Sequence, residues 1–155
     1  MYELDRNTEV HIDMAKSRKL KLDKYFEPIS TLEGDEIFRS GFFKFNITRI
    51  LEDISAGKLK VVEEPINVSS WSRMHSSNSL NEDHLPSVDI NKTVLQAEIR
   101  AGIYNIIDGN HRIEKARREG VEWINSYIIK GEQLVPYFIE KKGYEAFVEY
   151  WNSKL

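Results

Sequence analysis

Between Tyr104 and Gly120 the stretch YNIIDGNHRIEKARREG carries an apolar, strand-like segment through a polar turn into a charged helix. No other feature constrains the fold as much, because what precedes and follows it is also patterned. Upstream, KTVLQAEIR alternates, with Val94, Gln96 and Glu98 on one face and Leu95, Ala97 and Ile99 on the other, the two-residue period of a β-strand. Ala101 and Gly102 supply a turn, so KTVLQAEIR and IYNII are expected to pair as a hairpin. Downstream, WINSYII reads as another strand. Hairpin, turn, helix and strand in that order predict an α+β fold, a small mixed sheet flanked by helices.

The flanking regions fit around this core. In FFKFNITRILEDISAGKL a short extended piece leads into a helix, since Ile47, Ile50, Leu51 and Ile54 recur at helical spacing and Gly57 suits the C′ stop. LKVVEEPINV reads as a strand ended by Pro65, and LKLDKYFEPI as an ordered arm closed by Pro28. At the C-terminus GYEAFVEYWNSKL places Tyr144, Phe147, Val148, Trp151 and Leu155 on one stripe, which predicts an amphipathic helix docked on the core. The expected organisation is one domain over 1–155: a core at about 61–138, an N-terminal arm and helix over 1–60, and a docking helix at 142–155. The Ser/Asn-rich stretch Asn67 to Ser87 is expected to be either a surface loop or a lid, and Trp71, Arg73, Met74 and His75 keep the lid reading open.

Composition excludes several classes of function. With no cysteine, disulfides, thiolate catalysis and cysteine-ligated zinc are ruled out. A net charge of −3 does not favour a protein that grips duplex DNA through a broad basic face. No apolar run approaches the roughly 20 residues of a membrane helix, and the opening MYELDRNTEVHIDMAKSRKL has no apolar h-region, so the expectation is a cytoplasmic chain that does not span a membrane. His75, His84 and His111 lack metal-ligand spacing.

What then does DGNHR do? A helix that begins near Asn110 or His111 points its free N–H groups, and the positive end of its dipole, back into the turn. Gly109 permits close approach of a ligand, Asn110 can cap the helix, Arg112 offers a fork that matches phosphate oxygens, and His111 adds a donor that titrates near neutrality. A bland reading stands beside this one: Asp and Asn as caps, Gly in a turn, and Arg112 paired with Glu98 or Glu114. Lys115, Arg117 and Arg118, balanced by Glu114 and Glu119, read as a solvated face.

YNIIDGNHRIEKARREGVEWINSYII resembles the ParB/sulfiredoxin-like superfamily, whose strand–turn–helix–strand core carries a G-x-H-R or G-E-R-R loop. The resemblance spans about Val61 to Phe138. It implies that Gly109, Asn110, His111 and Arg112 bind the phosphates of a nucleoside triphosphate or diphosphate with Mg²⁺, or of another phosphorylated small molecule. Sulfiredoxins place a cysteine immediately before His-Arg, where this chain has Asn110, so peroxiredoxin repair is out. Partitioning proteins carry G-E-R-R and a helix-turn-helix domain that this sequence does not show. The D-G-x-H-R loop of the free-serine kinase type matches Asp108, Gly109, His111 and Arg112 most closely.

Within this reading Asp108 is the candidate Mg²⁺ ligand or base, or else merely a cap. Glu98 either reaches the same pocket as a catalytic carboxylate or faces solvent from its strand, and His111 would stabilise charge. Trp71, Arg73 and His75 are the candidate lid. The function expected is phosphoryl transfer or NTP hydrolysis. The alternatives are a ligand-sensing or protein-binding module without turnover, and a ParB-like nuclease or DNA-associated protein.

Overall fold

A computed structural model describes residues 18–74 and 82–155, with the backbone alone at 73 and 74. Two antiparallel strands, β1 (Ile37–Ser40) and β2 (Phe43–Asn46), form a hairpin, and β2 runs directly into α1 (Ile47–Ser55). Asn46 makes that abrupt change possible. Its backbone is still extended while its Oδ1 accepts the Arg49 amide at 3.0 Å, a side-chain N-cap. At the other end Gly57 N–H donates to Ile54 and Lys58 N–H to Asp53, and Gly57 has a φ of 74°. This is a Schellman stop with glycine at C′, as the spacing predicts.

The main sheet contains β3 (Val62–Asn67), β4 (Val94–Arg100), β5 (Ile103–Asp108) and β6 (Trp123–Ile129), in the order β3-β6-β4-β5. β4 and β5 form the expected antiparallel hairpin, β4 and β6 are parallel, and β3 is antiparallel to β6. The sheet is therefore mixed. β4 lies inside it, and Val94, Leu95, Ala97, Glu98 and Ile99 are all buried, so its alternation separates two covered faces rather than a wet one from a dry one.

Pro65 does not end β3. It sits inside the strand opposite Asn125, tolerated because β3 is an edge and a missing N–H on the open side breaks no ladder. The segment after Asn67 is not all loop either. Asn67 accepts the Ser70 amide at 2.9 Å and starts α2 (Val68–Met74), while a 3₁₀ turn covers Leu85–Ser87. After β5 come α3 (Asn110–Arg118), then, beyond β6, α4 (Gly131–Leu134), a second 3₁₀ turn at Val135–Tyr137, and α5 (Lys141–Ser153).

Two apolar clusters hold these layers. Leu95, Ala97, Ile107 and Ile129 pack with Phe45, Ile47, Ile50, Phe138, Tyr144, Phe147 and Trp151, which joins the hairpin, α1 and α5 in one core. Ile66, Val68, Val94, Ile106, Ile113, Ala116 and Ile124 form the second, under α2 and α3. The α5 stripe is as expected at Tyr144, Phe147, Val148 and Trp151, but Leu155 lies beyond the helix and is exposed. The arm is ordered against α5: Leu20 and Asn152 exchange two hydrogen bonds of 2.8 Å, and Phe26 stacks on Tyr144 with centroids 3.9 Å apart. Among the described residues no helix is long and apolar enough to cross a membrane.

Candidate functional site

β5 ends at Asp108 and α3 begins at Asn110, so one residue makes the whole connection. Gly109 does so with a φ of 107°, a left-handed conformation that L side chains rarely adopt. A Cβ there would also lie 2.8 Å from Val94 Cγ2 and 3.1 Å from Arg112 Nη1. Gly109 occupies the N-cap position and has no side chain with which to cap the helix. Asn110 is thus not the cap that its residue type suggests; it is the first helical residue and is exposed. The first intrahelical bond runs from Ile113 N–H to the Gly109 carbonyl at 3.2 Å, which leaves the amides ahead of Ile113 without an acceptor in the helix.

Arg112 pairs with neither Glu98 nor Glu114. Its Nη1 donates to the Thr93 carbonyl at 3.0 Å, and both terminal nitrogens reach Asp108 Oδ2 at 3.4 Å. Both side chains are largely buried, at 17% and 10% exposure. The carbonyl bond anchors the guanidinium, whereas the two long carboxylate contacts leave donor capacity. Asp108 is accordingly held by Arg112 rather than acting as a helix cap.

Around this junction lies a cleft of about 380 Å³. Asp108, Gly109, His111 and Arg112 form its floor; His84, Ser87, Val88, Asp89 and Lys92 form an outer wall; and Glu36 closes a third side from the segment before β1. The His84 and His111 rings meet edge to face, with centroids 5.0 Å apart. Partial burial, and then the Asp108 charge, push the Glu36 carboxyl above its ordinary value against the opposing pull of Arg112. The charge is mixed: three carboxylates, Lys92 and Arg112 share the space with two histidines. Amides, Lys92 and Arg112 suit an anionic group, and the carboxylates suit a cation that accompanies it. Among the described residues, no group of three or more acidic or histidine side chains is arranged to hold a metal by itself. A metal at Asp108 would therefore need most of its ligands from the phosphates and water.

The other expected site residues are placed apart. Glu98 is not solvent-facing, nor does it line the cleft. It pairs with Tyr104 in the hairpin while Asp108 pairs with Leu95, so it stands about 10 Å further along β4. There it is fully buried, receiving bonds from Arg18, from Gly102 N–H at 2.8 Å and from Gly131 N–H at 3.1 Å. Trp71 packs against the second apolar cluster from α2 and does not line the cleft. The Arg73 side chain and His75 lie outside the described residues. The presumed solvated face of α3 is half wrong. Glu114 is buried at 5% exposure and held by Arg117 and Arg118.

Sequence reasoning missed Glu36, Asp89 and Lys92 and gave His84 no role in the site. The Lys115 side chain also bonds to this wall, but its acceptors are the Pro86 and Val88 backbone carbonyls, which no residue pattern reveals.

Set against models of protein families, curated proteins and solved structures, the chain matches none. Its class is therefore defined by geometry alone: an α+β chain with a mixed sheet and a polar cleft at a strand–glycine–helix junction.

Proposed function

We propose that this chain is a phosphate-binding protein of the ParB/sulfiredoxin-like type, with a nucleotide held in the cleft at Asp108–Arg112. The observation that carries the reading is the α3 N-terminus, opened by a left-handed Gly109 that has no side chain to cap it, and facing a cleft that contains Arg112, His111 and Lys92. Backbone amides and the helix dipole favour an anion there, and the Gly109 backbone can approach it without a side chain intervening. Arg112, fixed by the Thr93 carbonyl, presents a guanidinium whose position is set before the ligand arrives. A Mg²⁺ ion carried in with the phosphates would neutralise charge on the transferred group. Asp108 and Glu36 are the carboxylates placed to face that charge, and His111 the donor beside it. The reaction this arrangement supports is phosphoryl transfer or NTP hydrolysis.

A second reading, binding without turnover, is favoured by one detail: Asp108 already spends its Oδ2 on Arg112. A thermal-shift panel of ATP, ADP, CTP and GTP with Mg²⁺ tests both. One nucleotide is expected to raise the midpoint of the wild type through linkage and to leave Arg112→Ala unmoved. If no nucleotide at millimolar concentration moves the wild type, the proposal is wrong. Phosphate release that disappears in Asp108→Ala separates the enzyme from the sensor.

A further inference from the structure

Lys115 lies outside the cleft yet fixes its shape. The outer wall, Glu82 to Lys92, brings His84, Ser87 and Asp89 opposite the phosphate loop. Among the described residues, two cationic side chains of α3 bond to that wall. Arg118 forks onto the Glu82 carboxylate at 2.7 and 2.8 Å, but both side chains are well exposed, at 43% and 66%, so the pair contributes little. The Lys115 ammonium instead donates to two backbone carbonyls, Pro86 at 3.0 Å and Val88 at 2.7 Å.

Those carbonyls belong to, and follow, the 3₁₀ turn Leu85–Ser87, whose buried Leu85 seats the wall in the protein. Carbonyls at the end of so short a turn need outside donors, and a cation there is worth more than a neutral group. Lys115 also stands four residues after His111, one turn along the same face. The helix whose N-terminus meets the ligand therefore sets, one turn further on, the distance to the wall across from it. His84 edge to face against His111 is the visible result.

We propose that Lys115 is a positioning residue for nucleotide binding, an assignment that rests on the phosphate-binding reading above: it holds His84, Ser87 and Asp89 at the distance the ligand requires and makes no contact with the ligand itself. Three variants test this with ATP–Mg²⁺ and inorganic pyrophosphate as probes. In the ligand-free protein, amide hydrogen exchange across residues 82–92 should quicken about tenfold in Lys115→Met, the order expected for losing a charge-assisted bond. It should remain at the wild-type rate in Lys115→Arg, which keeps donors, and in Glu82→Gln. Affinity for the probes should fall about tenfold in Lys115→Met alone. Unchanged exchange in Lys115→Met overturns the assignment whatever the wild type binds. Faster exchange with unchanged affinity overturns it as well. A wild type that binds neither probe, with faster exchange in Lys115→Met, sinks the phosphate reading and takes the positioning role with it.

Discussion

The hairpin of β4 and β5 has an arginine–carboxylate pair near each end, and the two are built differently. Near the β4–β5 turn, Glu98 is fully buried and its oxygens meet Arg18, Gly102 N–H and Gly131 N–H, while Arg18 lies over the Trp151 ring at 4.9 Å and also binds Glu132. At the other end, Asp108 meets Arg112 only at 3.4 Å, beside a cleft. Both ends contain a glycine where no Cβ fits. Gly131 would drive one into Trp151, and Gly109 would drive one against Val94. The closed end thus surrounds its carboxylate with protein, whereas the open end keeps donors and space. A buried carboxylate with a full set of partners stabilises a fold; one with spare capacity beside a helix N-terminus is the kind of group that binding sites use.

Arg18→Ala breaks the comparison most severely. It leaves Glu98 buried without its countercharge, and the loss should be about 3 kcal/mol in urea unfolding, the low end for such pairs because solvent reaches the Arg18 side. Burial raises the Glu98 carboxyl, but Arg18 and the two backbone amides outweigh it and hold the group below its ordinary 4.5. The unfolded chain therefore protonates first as pH falls. Stability from Glu98 is present above pH 4.5 and is lost as pH drops through the lowered folded value, so the gap between wild type and Arg18→Ala should narrow in acid. A loss under 1 kcal/mol at pH 7 would mean that the closed end is not a structural clasp.

Gly109→Ala tests the open end. A non-glycine residue at a φ of 107° costs about 2 kcal/mol in strain, less than the loss of Arg18. The functional penalty should be the larger one, since the new Cβ crowds both Val94 and Arg112. The nucleotide-induced shift is expected to vanish even at a temperature where the variant is folded. A variant that loses stability but keeps the full shift would show that the loop backbone does not touch the ligand.

The contrast between the two ends also separates what was legible in the sequence from what was not. Local rules sufficed where one segment decides: the apolar spacing of α1 and its stop at Gly57, the Ala101–Gly102 turn, and the apolar stripe of α5; the Asn46 cap went unread. Gly109 was legible as a special backbone position, because glycine between a strand and a helix can take a positive φ; that it makes the whole connection alone was not, since the strand pattern stops at Ile107 and β5 runs on to Asp108. Pro65 misled because whether a proline ends a strand depends on which edge is open, a fact of sheet order rather than of sequence. Glu98 looked equivalent to any alternating strand carboxylate until the arm delivered Arg18 to it from far upstream. Glu36 offered no pattern at all; the chain path before β1 brings it to the cleft.

Glu36→Gln gives the smallest effect and sharpens the comparison in the opposite sense to Glu98. Partial burial and the nearby Asp108 charge raise its carboxyl above 4.5, with Arg112 only partly compensating. For an acid raised in the folded state, the stabilising proton is held below pH 4.5 and surrendered as pH climbs through the folded value. Glutamine mimics the protonated form at every pH. The variant should therefore match the wild type near pH 4 and exceed it near pH 7, by no more than about 0.5 kcal/mol because solvent screens a carboxylate that is covered only in part. Urea unfolding at the two pH values measures this. Equal curves at both would mean that neither burial nor the Asp108 charge loads the Glu36 carboxylate. A gap that opens between pH 4 and pH 7 would mean that burial and the Asp108 charge together make the Glu36 carboxylate costly, tolerable there because water or a cation can reach it, and not tolerable at the closed end, where Glu98 has only protein around it.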